Sequence, residues 1–331
     1  MKKWISGALL ALSLLFGVPT AAFAQELVVG GQAVGIRVET PGVMVVGLAS
    51  VETAEGVCSP AAEAGFQAGD LVVQIGAREI HSAADFLDAV AALQGEAAEV
   101  TALRGEETVT LSVQPALSNE EQWMLGMLLR DGVSGIGTLT FCDPDSGAFG
   151  ALGHAVSDEE SGAALPLESG SITDAQIVDV VPGTQGKPGE LNGCADTALV
   201  LGDVEQNTDK GIYGRLQLRM AGRVAETGQI VPGPASILCT VQGHEVEEYA
   251  VQVDRVYSEG GSRRAILTVT DPVLCERTGG IVQGMSGSPI LQDGKLVGAL
   301  THVFVADPRR GYGISIQDML AEAGLAAADA A

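Results

Sequence analysis

The segment GMSGSPILQDGKLVGALTHVFV, residues 284–305, joins a glycine-rich turn to two short apolar runs. The runs Ile290–Leu291 and Lys295–Val305 have the composition of β-strands, and Asp and Gly residues separate them. The hexapeptide Gly284–Pro289 can present the Oγ of Ser286 to solvent on a tight turn, while backbone N–H groups of the turn face a developing negative charge. Glycine and serine are also ordinary turn residues. The segment therefore predicts β structure that carries an exposed serine.

The same pattern of short β-type runs extends over the whole chain from residue 134 onward. Gly, Pro, Asp and Asn residues separate the runs, which is typical of an all-β sandwich or barrel. An alanine-rich helix is predicted to begin near Gln317. The other predicted strands are Gly137–Cys142, Ala198–Leu201, Leu216–Met220, Ala235–Val241, Glu248–Val256, Ala265–Val269 and Gly313–Ile316.

A nucleophilic serine needs a base, and the chain has four histidines. His154 lies in GALGHAV (150–156), where small apolar neighbours favour the neutral imidazole that a general base requires. We predict that His302 lies on a buried strand and that His244 lies in a hairpin loop. His81 is predicted to flank a helix. His154 is therefore the predicted base.

A carboxylate must orient that base, and two positions qualify. Asp271, in VTDP (269–272), closes a predicted strand shortly before Ser286, whereas Asp158 follows His154 by four residues. The order His154, Asp271, Ser286 is that of chymotrypsin-type enzymes. The spacing departs from that type, because the acid usually stands nearer the middle of the interval.

Composition and the N-terminal residues limit the binding partners and the compartment that can be expected for the protein. A net charge of −24 over 331 residues argues against nucleic acid and against a basic membrane-docking patch. Residues 1–24 predict an export signal, with Lys2 and Lys3 before the apolar run Trp4–Val18 and cleavage before Gln25; an uncleaved anchor is the alternative. The five cysteines form no C-x-x-C pair, so we predict no structural metal.

A first domain is predicted over residues 27–115. SPAAEAGFQAGDLVVQIGAREI (59–80) is expected to form a short helix, a glycine turn and a strand, and it resembles the signature of bacterial PDZ domains. Such domains bind an extended peptide as an added strand. By this resemblance the edge strand is Ile36–Thr40, and a small α/β domain without a ligand is the alternative. The peptide-binding loop is predicted at Ala33, Val34, Gly35 and Ile36.

A helical connector is predicted over residues 116–133. Ser118 followed by Glu121 matches a capping box, and Asp131-Gly132 would end the helix. The remaining residues, 134–331, are predicted to form the second domain.

Two long stretches resemble one family. DGVSGIGTLTFCDPDSGAFGALGHAVSD (131–158) and TDPVLCERTGGIVQGMSGSPILQDGKLVGALTHVFVADPRRGYGISI (270–316) are similar to the stage IV sporulation protein B (SpoIVB) family of PDZ-containing serine peptidases. The resemblance implies a multidomain chain, an α+β PDZ domain followed by an all-β chymotrypsin-like double β-barrel. It also implies a catalytic triad of His154, Asp271 and Ser286.

Further roles follow from the same resemblance and from the likeness of the Ser286 loop to chymotrypsin-like peptidases. The N–H groups of Gly284 and Ser286 would form the oxyanion hole, and Gly280 would line an uncharged specificity pocket. No cofactor is implied. The expected substrates are a membrane-held regulatory protein and the chain itself, cleaved between the forespore and mother-cell membranes to activate a late sporulation sigma factor.

Two other classes of function remain open on the sequence. The chain could be a PDZ peptide-binding adaptor with an inactive peptidase domain, in which Ser286 is only a turn residue. It could also be a general extracytoplasmic quality-control peptidase. Replacement of Ser286 separates the first class from an enzyme, and the breadth of cleavage of unfolded protein separates the second.

Overall fold

The computed structural model describes residues 25–105, 107–158 and 162–325. The predicted export signal, residues 1–24, lies outside this part of the chain. None of the helices in the described ranges is long and apolar enough to cross a membrane.

The N-terminal third of the described chain contains eight strands and two helices. Ser82 caps the second helix, since its side chain accepts a hydrogen bond from the N–H of Asp85. The elements are β1 (Glu26–Val29), β2 (Ala33–Leu48), β3 (Val51–Thr53), β4 (Gly56–Cys58), α1 (Pro60–Ala64), β5 (Asp70–Ile75), β6 (Arg78–Glu79), α2 (Ala83–Ala92), β7 (Ala98–Arg104) and β8 (Glu107–Val113).

The middle of the chain is made of strands, several of them long. They are β9 (Ala116–Leu117), β10 (Trp123–Met124), β11 (Met127–Cys142), β12 (Ala148–Ala151), β13 (Ser169–Val181), β14 (Glu190–Thr208), β15 (Gly211–Leu216) and β16 (Val224–Glu226).

The C-terminal part matches the predicted strands closely. Its elements are β17 (Gly233–Thr240), β18 (Val246–Glu259), β19 (Ser262–Val269), α3 (Pro272–Thr278), β20 (Pro289–Gln292), β21 (Lys295–Phe304), β22 (Asp307–Ser315) and α4 (Ile316–Glu322). The strands close into a six-stranded barrel in the order β17-β18-β19-β22-β21-β20. Alternate residues such as Ile237, Val253 and Leu267 fill its interior, as expected of inward-facing barrel positions.

A second cycle of six strands forms the other barrel. Antiparallel pairing runs from β11 to β12, β15, β14, β13 and β2, and β2 pairs again with β11. Its core includes Val34, Ile36 and Phe149, and Phe141 with Tyr213 packs against Ile314 of the neighbouring barrel. The predicted double β-barrel is therefore confirmed, and it begins earlier in the chain than residue 134.

The small α+β unit is inserted into the first barrel. The first half of β2 belongs to the barrel, and the second half pairs with β5 through Val43 and Met44. The chain returns through β11, whose residues Met127–Arg130 pair with the far half of β2. Two continuous strands thus join the units, where the sequence predicted consecutive domains.

The peptide-binding loop predicted at Ala33–Ile36 is wrong. These residues lie within β2, between β11 and β13, so Ile36–Thr40 has no free edge for a ligand strand. Gly35 is needed for packing, because a Cβ there would lie 2.5 Å from Ala195 Cβ and 2.5 Å from Thr173 Oγ1.

The helical connector predicted over 116–133 is also wrong. Ser118 accepts hydrogen bonds from the N–H groups of Glu120 and Gln122 and so stabilises a turn. Beyond this turn the apolar side chains that pack on the core of the α+β unit recur at every second position: Trp123, Leu125, Met127 and Leu129. A period of two is the pattern of a half-buried strand.

Candidate active site

A cavity of about 840 Å³ lies between the two barrels. It is lined by His154, Ser286, Thr301 and His302, together with apolar side chains that include Ile281. This volume falls within the range of sites that bind small ligands or peptide side chains. The predicted base and the predicted nucleophile therefore line one cavity, although 132 positions separate them in the sequence.

The loop that carries Ser286 precedes β20 and has a backbone that requires glycine on either side of the serine. Gly284 and Gly287 have φ values of 95° and 97°, which side-chain-bearing residues rarely adopt. A Cβ on Gly287 would lie 2.0 Å from the carbonyl oxygen of Thr138. The glycines are therefore needed for the turn and also for the close contact between the loop and strand β11.

Strand β11 fastens this loop to the first barrel. The Oγ1 of Thr138 donates to the carbonyl of Gly284 at 2.9 Å, and the N–H of Thr138 donates to the carbonyl of Ser286 at 2.9 Å. The Oγ1 of Thr140 donates to the carbonyl of Gly287 at 2.8 Å. Because β11 binds these carbonyls on one side of the loop, N–H groups of the loop face the other side.

Two of those N–H groups are available to a ligand. Within the described ranges, neither the N–H of Gly284 nor that of Ser286 has a hydrogen-bond acceptor, whereas those of Met285 and Gly287 donate to Val282 and Leu300. Paired free donors beside a nucleophile can stabilise an oxyanion. The structure thus agrees with the predicted pair Gly284 and Ser286, whose role stays a prediction.

His154 follows β12 on a strained turn. Leu152 has a φ of 67° and Gly153 a φ of 72°, and left-handed backbone at a branched residue costs about 1–3 kcal/mol. The Nδ1 of His154 lies 2.7 Å from the carbonyl oxygen of Ala155, and only the ring nitrogen can donate in this pair. The Nε2 atom is therefore the acceptor in the neutral ring, and burial lowers the pKa of His154 from its ordinary value.

The Oγ of Ser286 donates to the carbonyl oxygen of Thr301 at 2.5 Å. Its hydroxyl proton is therefore directed at the carbonyl of strand β21. Rotation about the Cα–Cβ bond of Ser286 would release the hydroxyl from this hydrogen bond. The neighbouring Ser288 is fully buried, and its Oγ donates to the carbonyl of Met285.

Asp271 does not line the cavity. It is the N-cap of α3, where its carboxylate accepts hydrogen bonds from the N–H groups of Val273 and Leu274, and a third from Ala250. Asp158 is buried and lines the cavity with His154. The structure therefore brings His154 and Ser286 together without Asp271, whose assignment as orienting acid stays a prediction from the resemblance.

The other predicted site residues lie as follows. Gly280 is buried against the carbonyl of Pro308 and does not line the cavity, whereas Ile36, assigned above to a peptide-binding loop, does. His81 and His244 are exposed and lie near Glu168 and Asp174 respectively.

The sequence reasoning missed the residues that support the loop and the base. Thr138 and Thr140 alternate along β11 within GTLTF, and this period of two was the available signal. His302 was assigned to a buried strand, yet its ring is exposed in the cavity, 4.3 Å from the ring of His154. No signal in the sequence pairs the two histidines.

Comparison with known proteins identifies both units. The family described as SpoIVB peptidase S55 matches residues 121–320, and the PDZ domain family matches residues 54–104. No curated protein matched the chain in a sequence search. Similar solved structures include two of the Rv3671c protease of M. tuberculosis, each 14% identical. The match to the active form covers 58% of this chain and 75% of the Rv3671c chain, with a TM-score of 0.34. An inactive serine-to-alanine mutant covers 57% and 82%, with a TM-score of 0.33.

Proposed function

Because the chain belongs to the SpoIVB peptidase S55 family, we propose that it is a serine endopeptidase in which Ser286 is the nucleophile and His154 the general base. The observation that supports this most directly is the shared cavity, in which His154 presents an unprotonated Nε2 and Ser286 lies beside two free N–H groups. The PDZ unit supports protein or peptide substrates.

The proposed reaction is acyl transfer. Ser286 Oγ leaves the carbonyl of Thr301 and attacks the scissile carbonyl, while Nε2 of His154 accepts its proton. The N–H groups of Gly284 and Ser286 bind the oxyanion, at about 3–4 kcal/mol of transition-state stabilisation per donor. His154 then donates the proton to the leaving amine, and water releases the acyl group by the same steps in reverse.

The proposed biological role follows the family. The enzyme is exported, cleaves itself, and cleaves a membrane-held regulator whose processing leads to activation of a late sporulation sigma factor. Family membership supports this role, and the PDZ unit supports recognition of a peptide segment of the target.

The experiment that tests the proposal is labelling with a fluorophosphonate followed by mass spectrometry. We expect one adduct per chain, located on Ser286, and no adduct on the Ser286→Ala chain. Ser288 serves as the internal control, because it is buried and its hydroxyl is engaged. The same spectra report the N-termini, which should differ between the two chains if the enzyme cleaves itself. Absence of label from Ser286 would contradict the proposed nucleophile.

A separate prediction concerns Asp271. Asn caps helices as well as Asp does, so Asp271→Asn should keep the two hydrogen bonds at the start of α3 and lose the one from the N–H of Ala250. We expect kcat to change little if the carboxylate only caps α3. Asp271→Ala should lower the free energy of unfolding by about 1 kcal/mol. Steady-state kinetics and urea unfolding of both variants, with Asp158→Asn in parallel, check this. A loss in kcat of about 10⁴-fold in Asp271→Asn would instead make Asp271 the orienting acid.

A further inference from the structure

The two histidines of the cavity are in ring contact. The centroids of His154 and His302 are 4.3 Å apart, and their planes are inclined by 35°. Such a separation is slightly shorter than the range of about 4.5–7 Å over which aromatic rings usually stack, so the two rings are in direct contact. Both rings line the cavity that holds Ser286. His302 therefore covers one side of the ring that we propose as the base.

An irregularity in strand β21 places His302 there. Leu300 pairs with Gly313 and Val303 with Gly311, so Thr301 and His302 together face the single residue Tyr312. This is the geometry of a β-bulge, which redirects side chains and is frequent beside active sites. Thr301 is buried and His302 is exposed to the cavity. The bulge thus accounts for the exposure of a ring that the sequence placed on a buried strand.

The same strand also contacts the nucleophile and the turn before the base. The carbonyl of Thr301 accepts the hydrogen bond from Ser286 Oγ. The Cγ2 of Thr301 lies 2.9 Å from the position that a Cβ on Gly153 would occupy. Thr301 therefore contacts Ser286 and the turn that precedes His154, and His302 contacts the ring of His154.

We propose that His302 is a positioning residue, which holds the imidazole of His154 by stacking against it and shields that side of the ring from water. The inference rests on the proposed function, since a position of the ring matters only if His154 is the base. Among the described residues, the ring of His154 makes one hydrogen bond, from Nδ1 to the carbonyl of Ala155, and one hydrogen bond leaves the ring free to tilt. The stacked ring removes that freedom.

The charged groups around the pair define the pH behaviour. Arg264 of β19 acts on both rings, and Asp158 and Asp209 line the cavity. Desolvation, then the proximity of His154 and of Arg264, lowers the pKa of His302 to about 4. His302 is therefore neutral at ordinary working pH, and it acts through packing. Removing its ring should expose His154 and raise the pKa of His154 toward the ordinary value of 6.5.

The test uses the full chain with three substitutions, His302→Ala, His302→Phe and His302→Gln. Phe keeps a flat ring without titrating groups, and Gln keeps polarity without a ring. The kcat/KM of each is measured against pH on a peptide substrate. The pKa of His154 is measured by NMR titration of ¹³C-labelled histidine in the Ser286→Ala background. The chain has only four histidines, so deletion of each assigns its signal.

We expect His302→Ala and His302→Gln to lower kcat/KM by about tenfold or more, since displacement of a catalytic group by about 1 Å can cost 10²-fold. In both variants the pKa of His154 should rise, and the acid limb of the kcat/KM profile should move to higher pH. His302→Phe should stay near wild type in both readouts. The proposal is overturned if His302→Ala leaves the titration of His154 unchanged, or if His302→Phe behaves like His302→Ala. If the wild-type chain shows no turnover, the proposed function fails, and the NMR titrations alone decide whether His302 shields His154.

Discussion

Ser286→Ala and His154→Ala should each lower kcat by about 10⁶-fold, and the double variant should show the same residual rate. The physical reason is that the two groups act as one unit. Without Nε2 of His154 the hydroxyl of Ser286 keeps its proton, and without Ser286 the base has no nucleophile to activate. Each substitution alone therefore removes the whole covalent route, leaving the N–H groups of the loop and substrate binding.

Measurement of such low rates requires long incubation of a defined peptide substrate, with product counted by mass spectrometry. Two matched variants serve as controls. Ser288→Ala removes a buried serine two residues away, and His244→Ala removes an exposed histidine beside Asp174. Both variants should keep a kcat of the same order as that of the wild type. Losses that multiply in the double variant would show that Ser286 and His154 act independently, against the proposed mechanism.

Local patterns in the sequence were sufficient to predict the strands of the barrel formed by β17 to β22. Each predicted run from Ala235 to Ile316 overlaps a strand of that barrel. β18 and β19 show the alternating burial of half-buried strands, and β20 and β21 are short apolar runs with Asp293 and Gly294 between them. The helix–turn–strand order over 59–80 was an equally local feature. The fold of these parts is determined by residues close together in the chain, and the predictions succeeded there.

The insertion of the PDZ unit could not be found in this way. The first and second halves of β2 have similar apolar character, and only their partners differ, β11 and β13 for one half and β5 and β11 for the other. Those partners lie tens of residues away. The same limit applies to Asp271, whose spacing is compatible with a catalytic acid or a helix cap until the acceptor of each N–H is known.

Strand β11 contacts both the PDZ unit and the Ser286 loop. β11 begins beside α2, where Asp131 accepts a hydrogen bond from the N–H of Ala83. The same strand continues to Thr138 and Thr140, which hold the carbonyls of Gly284 and Gly287. One continuous strand therefore contacts the PDZ unit at its start and the Ser286 loop near its end.

The position where β11 meets the loop is the most sensitive to added volume. Gly287→Ala should lower the free energy of unfolding by about 4 kcal/mol, as the sum of left-handed backbone strain and overpacking. The new Cβ would lie 2.0 Å from the carbonyl oxygen of Thr138 and 2.6 Å from the nitrogen of Leu152, and both are backbone atoms with no rotamer to escape to. Relief requires β11 to separate from the loop, so fluorophosphonate labelling of Ser286 should fall as well.

Gly69→Ala is the matched control for this prediction. Gly69 has a φ of 90°, close to the 97° of Gly287, but a Cβ there would have no heavy atom within 4 Å. It should therefore show the backbone strain alone, about 1–2 kcal/mol. Urea unfolding by circular dichroism, with Ser286→Ala in each chain to prevent self-cleavage, gives both values. Equal destabilisation by the two substitutions would mean that the contact with Thr138 is not tight, and that the loop is held to β11 by hydrogen bonds alone.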